Sequence, residues 1–154
     1  MHDGMIHLHN FMRWVVLILA VLAVVKYLIG MLTKKDFSKS DDTIGLIYMI
    51  VMDIQLLVGL YLYATSSALQ NLMADFGATM KAPIDRFFAV EHLVGMLLAI
   101  ILVHIGRSRV KKYSESSRKY RIGFIFYLVA LLIMLAMIPW PFREGIGKPW
   151  FPGM

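Results

Sequence analysis

The chain contains no cysteine. Disulfides, thiolate metal sites, iron–sulfur clusters and covalent haem attachment through CxxCH are therefore excluded. Charge is scarce as well: 17% of the 154 residues are charged, against 59% hydrophobic. A mean hydropathy of +0.68 excludes an ordinary soluble domain. No hydrolase triad, phosphate loop or HExxH zinc motif is found, so no catalytic residues are read from the chain. The first ten residues lack Lys and Arg. The apolar run that follows is too long for the core of a cleavable leader, so it is read as a retained first span.

What the chain has is apolar length. Residues 11–33, 43–65, 87–106 and 122–139 form four runs with few charges. Roughly 20 helical residues, at about 1.5 Å each, cross the hydrocarbon core of a bilayer. The expected fold is all-α: a transmembrane four-helix bundle in one domain, 1–154, built as two hairpins, 1–65 and 87–142. Twelve Met, with three Trp, seven Tyr and nine Phe, suit adaptable packing and interfacial anchoring.

The net charge of +6 is unevenly placed. Arg107, Arg109, Lys111, Lys112, Arg118, Lys119 and Arg121 crowd the segment 107–121 against one acid, Glu115. Lys34, Lys35 and Lys39 occupy the 34–42 loop, whereas the opposite side has Lys81, Arg86, Arg143 and Lys148, with Arg13 near the first span. The positive-inside rule places both basic loops in the cytoplasm and both termini outside. Anionic lipid headgroups account for the basic loops, so a nucleic-acid partner is not expected. The location expected is the inner membrane of a bacterium.

Two segments lie between or beyond the spans. In 66–86, the stretch ALQNLMADF (68–76) suits a short surface helix. The tail 140–154 cannot be regular helix, because Pro139, Pro141, Pro149 and Pro152 interrupt it. Its Trp140, Phe142, Trp150 and Phe151 belong at headgroup level. An interfacial anchor and a lid over the bundle are both open readings.

Polar residues inside the spans are the functional clues, because each is costly in lipid. His9 and Arg13 are four apart and share a helix face, while His7 points away. Arg13 either snorkels outward or meets an acid or a ligand carboxylate inside the bundle, and Glu91 is the best candidate acid. His92 lies beside Glu91, above a stripe of small residues, Gly95, Ala99 and Gly106. Such a stripe admits either close helix packing or a flat porphyrin. Asp53 sits near the middle of the second span. A bonded neutral acid, a proton-relay or ligand role and a contact with another subunit all remain open for it.

His104 is 12 residues beyond His92, about 18 Å along the helix and about 120° around it. That offset argues against two stacked haems, so at most one bis-histidine haem is expected. Its axial ligands would be His92 and His9. Their positions relative to the apolar runs predict a level difference of about 10 Å. Met134 or Met137 is the fallback partner.

HLHNFMRWVVL, DRFFAVEHLVGM and IPWPFR…GKPWFPGM together resemble a family of small four-span membrane proteins of the Bacteroidetes loosely labelled cytochrome B-like. The resemblance covers nearly the whole chain. It implies a four-helix membrane protein tied to respiratory or haem biology. It also points to His9, Arg13, Glu91, His92 and the tail as the site. In that family the Asp53 position is often polar and sometimes His, so an Asp there counts against direct metal ligation. Three functions follow as expectations. The first is a b-type electron-transfer protein binding haem b, with quinol as partner. The second is an accessory subunit of a larger respiratory complex, or a homo-oligomer. The third is a small transporter or proton conductor built on Asp53.

The topology is directly testable in a cysteine-free chain. Asp75→Cys should react with an impermeant maleimide applied from outside, and Ser114→Cys should not. The reverse pattern would invert the orientation.

Overall fold

The computed structural model describes residues 2–151. Its long helices are α1 (His2–Thr33), α2 (Lys39–Ala64), α6 (His92–Lys112) and α7 (Ser116–Met137). Three short helices, α3 (Ser67–Ala74), α4 (Phe76–Lys81) and α5 (Pro83–Arg86), and a π turn at Phe87–Glu91 join the two hairpins. No strand occurs among the described residues. Four segments are long and apolar enough to cross a membrane, with α5, the π turn and α6 making up the third, Pro83–Lys112. This is a membrane protein by length and composition. Its outer surface agrees: Ile18, Leu22, Ile29, Leu57, Ile101 and Leu132 all face outward.

Helix boundaries depart from the apolar runs in instructive ways. α1 begins at His2 rather than near residue 11, and its 32 residues extend about 48 Å. That exceeds the hydrocarbon thickness, so the polar start HDGMIHLHN is helical beyond it. The expected surface helix at 68–76 divides in two. Asp75 leaves the helical conformation to cap α4, accepting a hydrogen bond from Ala78 N at 2.8 Å. The tail from Ile138 to Phe151 is non-helical, as its prolines require. Pro152, read as part of the same tail, lies outside the described residues.

α1 packs on α2 and α7, and α6 on α7, while α2 and α6 touch loosely. Lipid is as apolar as the helices, so close packing and polar bonds must hold them together. At the end carrying the basic loops, Tyr27, Tyr48, Tyr120 and Tyr127 are fully buried. Gly30 receives the Tyr120 ring and Gly123 the Tyr27 ring; a Cβ at either position would lie inside the ring's contact distance.

Asp41 is fully buried among these rings. Its carboxylate accepts hydrogen bonds from Tyr120 Oη at 2.6 Å, Ser38 Oγ at 2.7 Å and Lys35 Nζ at 3.1 Å. Its backbone carbonyl accepts from Tyr27 Oη at 3.1 Å. Ser38 and Asp41 also form a capping box that starts α2. Arg107 grips both oxygens of Asp42, fastening α6 to α2.

Gly30→Val should lower stability by about 1–3 kcal/mol, because the Tyr120 ring is buried and tied to Asp41. Gly4→Val, where a side chain meets open space, should not. Unfolding by SDS titration in mixed micelles measures both.

Candidate functional site

At the opposite end, the start of α1 and the tail meet over a cavity of about 740 Å³. All four long helices and the tail line it. Its size lies within the range of about 300–1,000 Å³ common for small-molecule and cofactor sites.

His9 enters from α1 and His92 from the first turn of α6. Their rings stand 6.4 Å apart between centroids, with planes at 69°. The level difference of about 10 Å expected from the sequence does not occur. α1 extends well beyond its apolar run, so the edge of that run does not mark helix depth. His92 is also set by the preceding π turn, whose i to i+5 bonding joins His92 N to Phe87 O. Tyr63 of α2 braces that turn by donating its hydroxyl to Ala89 O at 2.9 Å.

The ring nitrogens are differently committed. His92 Nδ1 lies 2.8 Å from the carbonyl oxygen of Met137. A carbonyl only accepts, so Nδ1 carries the proton and the neutral ring keeps its lone pair on Nε2. This is the arrangement that orients a metal-binding histidine. His9 is held by its backbone, whose carbonyl accepts from Gln55 Nε2 at 3.0 Å. Its imidazole packs on Gly59, where a Cβ would lie 3.2 Å from His9 Cε1. His9 Nδ1, Arg13 Nε and Gln55 Oε1 are buried without a partner among the described residues. All three residues line the cavity. A polar atom buried without a partner costs about 1–3 kcal/mol, which a polar ligand in the cavity could recover.

Arg13 and Glu91 do not pair. Arg13 donates to Pro149 O at 3.1 Å and Trp150 O at 2.8 Å, while Glu91 takes Arg86 at 2.6 Å. Two local causes explain the exchange. The π turn aligns residues five apart, bringing Arg86 to Glu91. The non-helical tail has carbonyls free of helix bonding, and it folds back to offer them to α1. Trp14 Nε1 also donates to Trp150 O, at 2.8 Å. Arg143 lies over Phe87 and Lys148 over Phe88, so the tail spans from α1 to the start of the third span. Pro139, Gly145, Lys148 and Pro149 line the cavity, and the tail thereby forms one of its walls.

The small-residue stripe serves packing. The Met137 side chain fills the space at Gly95, and Phe126 and Tyr127 approach Gly106. No slot for a flat ring remains at Gly95. Met137 is thus committed twice, through its side chain and its carbonyl. Met134 is 2% exposed and lines the cavity.

Asp53 lies outside this site. It is half-exposed on the bundle surface, with His104 Nε2 3.4 Å away. His104 Nδ1 in turn lies 3.0 Å from Ile100 O. Neither residue lines the cavity, so a conduction path centred on Asp53 within the bundle finds no support.

Gln55, Gly59 and Tyr63 were not singled out from the sequence. Their spacing of four along α2 places them on one face, and that was the available signal. Comparison with family profiles, curated proteins and solved structures finds no match to this chain.

The three Trp residues of the chain meet in the tail cluster, with Trp14 and Trp150 stacked at 6.0 Å and Trp140 5.8 Å from Trp150. Their emission therefore reports tail docking. Arg13→Gln should weaken docking by about 1.5–3 kcal/mol, the range for hydrogen bonds to charged groups. Emission should shift to the red and acrylamide quenching should rise. Unchanged emission and quenching would mean the two Arg13 contacts do not hold the tail.

Proposed function

We propose that this chain is a b-type membrane electron-transfer protein in which His9 and His92 hold one haem. The observation that carries the reading is the pair of imidazoles, edge-on with ring centroids 6.4 Å apart, on the wall of a cavity of about 740 Å³. A metal–imidazole bond is about 2 Å long, so one metal ion fits between two rings at this spacing.

The donor set supports haem over other metals. Among the described residues no group of three or more His, Cys, Asp or Glu could hold a metal ion. Two neighbouring histidines would suffice for haem, whose porphyrin supplies the remaining ligands. Met137 O fixes the tautomer of His92 and leaves its Nε2 to bind iron. Gln55 and Gly59 position His9. Arg13 and Lys148 put two cations on the cavity wall, where they would neutralise the carboxylates of a ligand. When bound, haem supplies a one-electron couple between ferric and ferrous iron. The tail and the apolar walls would keep that couple away from bulk water.

The resemblance to small cytochrome B-like proteins agrees with this reading. So does placement in a bacterial inner membrane, with the histidine end outside and the basic loops in the cytoplasm. Quinol, an apolar electron donor dissolved in the same bilayer, is the proposed partner.

Visible spectroscopy tests the proposal. Protein expressed in haem-replete cells and purified in detergent should give a low-spin reduced-minus-oxidised spectrum. His9→Ala and His92→Ala should each abolish it, and His104→Ala should leave it unchanged. Protein that carries no haem, or loses it only in His104→Ala, would overturn the reading.

A further inference from the structure

The least covered side of the bundle carries its most costly exposed groups. Only 22% of the apolar window of α2, and 22% of that of the third span, is buried, against 39% for α1 and 33% for α7. The open face between α2 and α6 is aliphatic: Ile50, Ile54 and Leu57 on one helix, Leu98, Ile101 and Ile105 on the other. Between these rows stand Asp53 and His104, with side chains 42% and 44% exposed. Asp53 lies about 21 Å along α2 from Lys39 and about 16 Å from Ala64, near mid-depth. Ionisable groups at that depth almost always face a protein interior or a water-filled cavity. Here they face out of the chain.

We infer that two copies of this chain associate through the α2–α6 face, around Asp53 and His104. A second copy is favoured by charge complementarity. His104 Nδ1 lies 3.0 Å from the Ile100 carbonyl, which leaves Nε2 directed at the Asp53 carboxyl 3.4 Å away. The pair is therefore a dipole directed from one helix to the other, lying roughly in the membrane plane. Both copies insert with the same orientation, and a two-fold axis along the membrane normal relates them. That axis reverses an in-plane dipole, so the carboxyl of each copy approaches the imidazole of the other. The four groups then satisfy one another with no charge contributed from outside. The flanking Ile and Leu rows meet at the same time, with α2 of each copy facing α6 of the other.

Cross-linking in native membranes tests the inference. Two differently tagged copies are co-expressed, one carrying Ile54→Cys and the other Ile101→Cys. Both positions face outward, so neither change disturbs the bundle interior. Mild oxidation should yield a disulfide-linked dimer carrying both tags. The control pair, Ile18→Cys on α1 with Leu132→Cys on α7, should not. Adding Asp53→Leu and His104→Leu to both copies should reduce the cross-linked fraction by roughly threefold to tenfold. No cross-link, equal cross-linking of the control pair, adducts formed only with another protein, or a fraction indifferent to loss of the polar pair would each overturn it.

Discussion

The bundle depends on the hydrogen-bonded knot around Asp41. Helices in lipid gain little by burying apolar surface against one another, since lipid tails solvate that surface equally well. Specific polar contacts and close backbone approach must supply register. Asp41 does so by joining the 34–38 turn, α1 through Tyr27 and α7 through Tyr120. Arg107 and Asp42 add α6. Glycines at the helix contacts then admit the tyrosine rings. With all four helices set at this end, their relative depths at the other end are set as well.

The site at the far end uses that register. One helix from each hairpin presents a histidine, and the second helix of the same hairpin supports it. α2 holds His9 through Gln55 and Gly59, and α7 holds His92 through the Met137 carbonyl. The π turn precedes His92 directly, and Tyr63 ties it to α2. Proline keeps the tail out of helix, which frees its carbonyls for Arg13 and turns it across the cavity.

Polar residues in these spans fall into two groups by the direction they face. Among those directed inward, His9, Arg13 and Gln55 line the cavity with buried atoms that lack a partner, while the Tyr48 and Tyr127 hydroxyls are buried without one at the opposite end. Asp53 and His104 are directed outward, where they meet each other and His104 also reaches the Ile100 carbonyl. A membrane protein of this size has little surface on which to hide such a pair.

Helix number and the division into two hairpins were legible in the chain, because apolar runs of span length have few other uses. His9 and His92 stand out in the chain as imidazoles near the ends of such runs, and the fold brings their rings to 6.4 Å between centroids. The non-helical tail was equally plain from its prolines. What each polar residue touches was not. Apparent depth matches Arg13 to Glu91, but an apolar run marks where lipid is tolerated rather than where a helix begins. Asp53 was placed at mid-membrane, yet its outward orientation depended on how α2 rotates against its neighbours. Sequence periodicity defines the faces of one helix and leaves the rotation and depth of each helix against the others open. Only the tertiary contacts, beginning with Asp41 and its tyrosines, decide those two quantities.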